Sequence, residues 1–296
     1  MSITANDEFR MPPEILFQIL VLLFAGLVAG FLAGLFGVGG GIVIVPALYA
    51  LFRWMEVSAN SAISIAVGTS LVTLLPTACS SLRAHYKLGN VNKSILLWIA
   101  PSILIGAIIA SSLVVAQFGR LLLFVFSGVL LLVACITIVR TYRITPVVER
   151  YTKTAEPTLN GVLNKVMASI AGFLIGLSSS LAGVGGGATG VPVLLGLGLR
   201  THAAIGTASS FGVLVALPSI IALLLFSYSP ADAPWGCWKQ VYIPGLVVLS
   251  FCTVLVAPYG ARLGKKISEK RLKVLFASLL FVVGARLLVS SFMFPV

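Results

Sequence analysis

Long apolar stretches separated by short polar segments run through the whole chain. Six have the length of about 20 residues that one membrane-spanning helix needs, and they cover residues 59–82, 94–116, 120–139, 203–226, 241–259 and 272–294. Two further stretches, 15–52 and 162–199, are each about 38 residues long. A straight helix of that length would measure about 57 Å, whereas the hydrocarbon core is about 30 Å thick. Each of these two stretches must therefore bend.

A string of glycines marks the bend in both long stretches. Gly-Val-Gly-Gly-Gly occupies Gly37–Gly41 and returns at Gly183–Gly187, 146 positions later in the 296-residue chain. Matched prolines follow at Pro46 and Pro192. One half of the chain is thus a repeat of the other. The predicted units are a first transmembrane repeat at 1–139, a linker at 140–161 and a second transmembrane repeat at 162–296.

The composition is that of an integral membrane protein. Apolar residues make up 59% of the chain and charged residues 9%, whereas a soluble domain carries about 25% charged residues. All eight acidic residues lie between the apolar stretches, and Arg286 is the one basic residue well inside a stretch. The net charge of +12 therefore belongs to the loops, where it reports membrane orientation and gives no reason to expect a nucleic-acid partner.

The distribution of lysine and arginine decides whether the long stretches turn back. If each stretch crosses the membrane once, ten basic residues fall on one face and nine on the other. If each turns back, the numbers are fifteen and four, which is the bias of a real topology with the richer face in the cytoplasm. The fifteen lie within 83–93, 140–165 and 262–273 and at Arg200, and the four are Arg10, Arg53, Arg120 and Lys239.

Two returning stretches set the predicted fold class. Each half becomes a hairpin plus three spans, so the second half enters the membrane from the opposite face. The prediction is an all-α, polytopic membrane protein with two inverted-topology repeats, each a glycine-broken helical hairpin plus three transmembrane helices. Both termini lie outside, and the linker at 140–161 is cytoplasmic. Whether the hairpins span fully or re-enter stays open, and inverted repeats are compatible with a monomer, so the oligomeric state is open too.

The glycine strings are candidates for an anion site. A helix that resumes after each string begins inside the bilayer, where its first N–H groups lack partners and its dipole favours negative charge. Glycine lets a ligand approach such donors closely. The predicted substrate-binding residues at the two helix ends are Gly39, Gly40, Gly41, Gly185, Gly186 and Gly187. The alternative is that these glycines only let helices pack tightly.

Hydroxyl and guanidinium groups supply further candidates. Ala66–Ser70 and Ala204–Ala208 form a second matched pair, whose hydroxyls could complete an oxyanion site, and Arg286 could attract an anion. The further predicted substrate-binding residues are Thr69, Ser70, Thr207, Ser209 and Arg286. Two alternatives remain open: serine and threonine often bond the carbonyls of their own helix, and a long arginine side chain can reach the lipid headgroups.

Missing chemistry narrows the function. No Asp or Glu lies within a predicted span, and the four cysteines show no paired spacing, so we expect no carboxylate proton relay, disulfide, metal site or cofactor. His85 and His202 lie at span ends, where an interfacial role is more usual than proton relay. We expect no enzyme, and instead a carrier of a small anion in the lipid bilayer or, as the alternative, an anion channel of the same architecture.

The chain resembles the sulfite exporter TauE/SafE family of bacterial and archaeal membrane permeases. The segments that carry the resemblance are Gly34–Gly41 with Pro46, Ala66–Leu71, His85–Val91, Gly183–Pro192, Ala204–Thr207 and Gly260–Leu263. The resemblance implies transport of sulfite, sulfonates or related sulfur oxyanions, usually outward across the inner membrane. Ala208 departs from the family pattern, in which a serine often follows Gly-Thr, and leaves Ser209 or Ser210 as the substitute.

Overall fold

The computed structural model describes residues 13–116, 119–143 and 162–293. Most of the predicted linker, from residue 144 onward, lies outside the described residues. The described chain folds into helices joined by short loops and one two-stranded hairpin. The helices are α1 Pro13–Phe36, α2 Gly41–Trp54, α3 Ala59–Lys87, α4 Lys93–Val115, α5 Gly119–Arg143, α6 Val162–Leu181, α7 Gly187–Gly196, α8 Thr201–Phe226, α9 Ile243–Gly264 and α10 Glu269–Met293, and the strands are β1 Cys237–Trp238 and β2 Val241–Tyr242.

The first long stretch turns back on itself. Its helix α1 has 24 residues and α2 has 14. Between them, Gly37, Gly39 and Gly40 have φ values of 67°, 80° and 83°, which residues other than glycine rarely adopt. The rings of Phe17 and Trp54 lie 4.9 Å apart, so the end of α2 sits beside the beginning of α1. The stretch is a hairpin with one long and one short helix.

The second long stretch repeats this hairpin at the same depth. Helix α6 has 20 residues and α7 has 10. A Cβ placed on Gly40 would lie 3.3 Å from the Ala29 carbonyl oxygen, and one on Gly186 would lie 3.3 Å from Cγ2 of Ile175. Ile175 follows Ala29 by the same 146 positions that separate the strings. Both short helices therefore begin well back along the long helix that precedes them.

The all-α, polytopic membrane fold is confirmed. Six helices in the described residues are long and apolar enough to cross a membrane, and they are Glu14–Phe36, Ala59–Lys87, Lys93–Val115, Thr201–Phe226, Ile243–Gly264 and Lys270–Val289. Glu14–Phe36 is a full-length span because the glycine break comes only at its end. The span expected at 120–139 is present as part of α5.

The first helix of each half packs against a helix of the other half. Helix α1 packs along α9, the fourth helix of the second half, and α6 packs along α4, the fourth helix of the first half. A Cβ on Gly30 would lie 2.6 Å from Cα of Thr253, and one on Gly176 would lie 3.0 Å from the Ala107 nitrogen. Gly30 and Gly176 thus allow close helix packing, the usual role of small residues between membrane helices.

Contacts between loops show which ends of the bundle belong together. The Ser58 amide donates a 2.7 Å hydrogen bond to the Asp232 carboxylate, so the loop after α2 meets the loop that follows α8. At the other end, the Asn92 amide donates to the Thr207 hydroxyl. Partial burial raises the pKa of Asp232, but hydrogen bonds from Ser61 and Ser58 outweigh it and hold the pKa below its ordinary value. The carboxylate that ties these loops is therefore ionised at neutral pH.

Candidate functional site

The two glycine strings meet at the centre of the bundle. A Cβ on Gly41 would lie 2.8 Å from Cα of Val184, and one on Gly187 would lie 2.6 Å from Cα of Val38. These two contacts are equivalent under the 146-residue repeat, because Val184 follows Val38 by that number of positions. Each string thus touches the first residue of the other half's short helix, and side chains at these positions would push the halves apart.

Each short helix begins at the last glycine of its string. The amides of Val43 and Ile44 donate to the Gly40 carbonyl at 3.0 and 3.1 Å, and the Gly190 amide donates to the Gly186 carbonyl at 2.7 Å. The helical residues that precede Val43 in α2 and Gly190 in α7 carry the first N–H groups of each helix. These groups have no acceptor within the helix itself. Two helix N-termini therefore lie deep in the bundle, one from each half.

Ser70 lies at the meeting point of the strings. Its hydroxyl donates a 2.7 Å hydrogen bond to the Gly183 carbonyl. The matching position in the second half is Ala208, which has no hydroxyl. Ser209 donates instead to the Gly206 carbonyl of its own helix at 2.6 Å, and the buried Ser210 hydroxyl has no hydrogen-bond partner among the described residues. The site is therefore asymmetric, with a hydroxyl on the first half's side.

Thr69 and Thr207 hold the start of a helix in the opposite half. The Tyr242 amide, directly before α9, donates to the Thr69 hydroxyl at 2.9 Å, and the Asn92 amide, directly before α4, donates to the Thr207 hydroxyl at 2.9 Å. Both threonines are fully buried. The threonines of the two matched Gly-Thr pairs therefore have the same structural role, in which each binds an amide of the other half. The sequence did not predict this role, although the repetition of the Gly-Thr pair was a signal for it.

The candidate Arg286 and the buried His85 are not part of the strings. The side chain of Arg286 is exposed on α10, and the structure does not bring it together with the buried glycines. His85 has 3% of its surface exposed and its Nε2 lies 2.8 Å from the Gly34 carbonyl oxygen. Sequence reasoning placed this histidine at the interface because it is near the end of α3, whereas the packing of α1 buries it.

A small apolar cleft adjoins the beginning of α2. It is enclosed by α1, the first glycine string, α2 and one residue of α10. The lining residues are Leu32, Ala33, Phe36, Val38, Gly40, Ile42, Val43 and Leu279. The cleft thus places a small apolar surface next to a helix N-terminus.

Comparison with known proteins points to transport. A family model described as Sulfite exporter TauE/SafE matches residues 22–287. The chain is 33% identical over 267 residues to a protein of Haemophilus influenzae, covering 90% of this chain and 96% of the relative. It is 29% identical over 273 residues to a protein of Methanocaldococcus jannaschii, with 92% and 96% covered. Both relatives are described as a probable membrane transporter protein. No solved structure matches the chain.

Proposed function

Because the chain belongs to the sulfite exporter TauE/SafE family of membrane transporters, we propose that it is a secondary carrier that exports a small sulfur-containing anion. The substrates in view are sulfite, sulfonates and related sulfur oxyanions. The observation that carries the proposal is the meeting of two glycine strings and two helix N-termini, one from each half, in the middle of the bundle. In this proposal the anion binds at these two helix ends.

Helix ends of this kind attract anions without a formal positive charge. Each N-terminus carries a partial positive charge that stabilises a nearby anion by about 0.3–2 kcal/mol. The hydroxyl of Ser70 lies beside Gly41, since a Cβ on Gly41 would lie 3.1 Å from its oxygen. Its one hydrogen is donated to the Gly183 carbonyl in this conformation and becomes available to an anion when the strings separate.

The closed centre favours a carrier over a permanently open channel. A Cβ on Gly39 would lie 3.3 Å from Cα of Gly185, so the two strings leave no room for an ion between them in this conformation. In the proposed mechanism the two halves are inverted repeats that rock against each other, and the strings separate alternately toward each side. The reciprocal packing of α1 on α9 and of α6 on α4 supports this arrangement.

The proposed orientation places the ends of α3 and α8 on opposite sides of the inner membrane. The loop that joins α3 to α4 belongs to the face with fifteen basic residues and is cytoplasmic in this proposal. A membrane-impermeant thiol reagent added to intact cells should label Trp235→Cys, since Trp235 is 90% exposed on the other face, and should spare Lys93→Cys. The native cysteines are first replaced in both variants. If the reagent labelled Lys93→Cys and not Trp235→Cys, the protein would have the opposite orientation in the membrane.

Flux measurements test the substrate and the carrier mechanism. Purified protein in liposomes is loaded with sulfite or methanesulfonate, and efflux is followed at zero potential and with the inside negative. An inside-negative potential favours anion efflux by about 2.3 kcal/mol per charge per 100 mV, so we expect saturable efflux that the potential accelerates. Single-channel currents in planar bilayers would identify a channel instead. If no sulfur oxyanion crosses the membrane, the proposed substrate class is wrong.

A further inference from the structure

We propose that His85 is a proton-binding site that releases the inner end of the first hairpin and makes transport depend on the pH at that face. This inference rests on the proposed transport function, and it adds a ligand, the proton. His85 lies in the last turn of α3, and its exposed fraction of 3% is low for a residue so close to a helix end.

One ring nitrogen is fully engaged. Nε2 lies 2.8 Å from the Gly34 carbonyl oxygen, and a carbonyl only accepts hydrogen bonds. Nε2 must therefore carry the hydrogen in this bond. The neutral ring then has its lone pair on Nδ1, so the hydrogen bond to Gly34 selects the tautomer.

The other ring nitrogen has no partner. Nδ1 is buried and makes no hydrogen bond to any described residue. A proton added there creates a second N–H group and a full positive charge where no described residue offers an acceptor. A buried charge of this kind is strongly unfavourable, so a protonated ring requires that water reach Nδ1. In this proposal, water reaches Nδ1 when the end of α1, whose Gly34 carbonyl bonds the ring, moves away from α3.

The end of α1 is held by hydrogen bonds from α3 and by close packing against α9. The Ser81 hydroxyl donates a 3.1 Å hydrogen bond to the Ala33 carbonyl, and the His85 ring bonds the next carbonyl, that of Gly34. These two side chains, one turn apart on α3, hold the last turn of α1. Gly34 itself packs so closely against Ala257 on α9 that a Cβ would overlap its carbonyl oxygen.

The ionisable groups near His85 are basic residues, which cannot neutralise the positive charge of a protonated ring. His202 on α8 is the one whose charge acts on His85. Arg83 and Lys87 on α3 and Arg262 on α9 are exposed cations at this end of the bundle. The described part of α1 has its one ionisable residue, Glu14, in its first turn at the far end. No described carboxylate therefore faces the ring from these elements.

The position of His85 connects it to the glycine string. Gly34 precedes Gly37, the first glycine of the string, by three residues. The backbone of Gly37 packs against Ile205 of α8, which follows His202 by three residues. Loosening the last turn of α1 thus acts directly on the segment that leads into the proposed anion site. Protonation of His85 is therefore expected to favour the conformation that opens toward this face.

A non-titrating probe tests this inference. Methanesulfonate stays ionised throughout the range in which imidazole titrates, about pH 5–8, whereas sulfite itself takes up a proton near neutrality. We expect the methanesulfonate flux of the wild type to rise as the pH at the His85 face is lowered. His85→Gln keeps an N–H donor for the Gly34 carbonyl but does not titrate, so its flux should not change with pH.

His202→Gln is the matched control, because it removes the neighbouring histidine and leaves the bond from His85 to Gly34 in place. Its flux should keep the pH dependence of the wild type, with a shifted midpoint. A pH profile of His85→Gln equal to that of the wild type would overturn the inference. A flat profile for the wild type would overturn it as well.

Nuclear magnetic resonance of the imidazole nitrogens gives a readout that does not require transport. The chain has two histidines, so labelled protein in lipid shows two rings, and His85→Gln identifies the signals. We expect Nδ1 of His85 to gain a proton as the pH falls through the imidazole range. If no sulfur oxyanion crosses the membrane, the proposed function fails while this titration still supports the proton site. A ring that stays neutral throughout the range overturns it.

Discussion

Replacing Gly41 or Gly187 by alanine is expected to abolish anion flux. A Cβ on either glycine would overlap a carbonyl oxygen of the other half's string, at Gly183 for the first and at Gly37 for the second. Because the obstacle is backbone, it cannot turn aside as a flexible side chain could. Overpacking a dense interior costs about 1–3 kcal/mol and sometimes more. Here that cost falls on the contact between the halves, so we expect flux near the level of protein-free liposomes.

Gly128→Ala is the control for this pair of variants. Gly128 lies in α5, and a Cβ there would have no atom within 4 Å, so its flux and thermal stability should match or slightly exceed the wild type. Thermal unfolding and gel filtration of each variant separate loss of transport from loss of folding. Wild-type flux in either Gly41→Ala or Gly187→Ala would show that the close approach of the strings is not required.

Replacing Thr69 or Thr207 by valine is expected to lower stability. Valine keeps the shape but removes the oxygen that accepts the amide hydrogen of Tyr242 in one case and of Asn92 in the other. Leaving a buried donor without its acceptor lowers the free energy of unfolding by about 1–3 kcal/mol. The two bonds secure different helices, so the double variant should show roughly the sum of the single effects. Thermal unfolding in detergent measures each change.

Serine at the same positions separates the hydroxyl from the methyl group. Thr69→Ser and Thr207→Ser keep the acceptor oxygen and lose one methyl group each, so their unfolding temperatures should stay closer to the wild type than those of the valine variants. Equal losses for serine and valine would mean that packing, and not the hydrogen bond, accounts for the role of these threonines.

Much of the architecture followed from features that lie close together in the chain. The glycine strings interrupt stretches too long for one crossing, and the structure places a turn at each string, with α2 returning to the beginning of α1. The charge tally grouped Arg53 with Lys239, and the bond between Ser58 and Asp232 joins the same two loops. These predictions succeeded because span length, glycine content and loop charge act locally.

The roles of single polar residues did not follow from the sequence. Thr69 and Thr207 were predicted to bind the anion, which stays a prediction, and the bond that each makes to an amide of the other half was not predicted. His85 was expected at the interface, but it lies buried against Gly34. In each case the partner is 51 to 173 positions away in the chain. The identity of such a partner depends on how helices from two halves pack, and hydrophobic periodicity carries no information about it.

The membrane class, the repeat, the returning stretches and the place of the two breaks could be predicted from the amino-acid sequence, because hydrophobicity, helix length and glycine dihedrals are properties of each segment. The packing of the helices was needed to establish that the two strings touch, that Ser70 bonds Gly183 while Ala208 leaves the other side without a hydroxyl, and that His85 bonds the end of α1. These features arise from interatomic distances between the halves, which are determined when the helices pack.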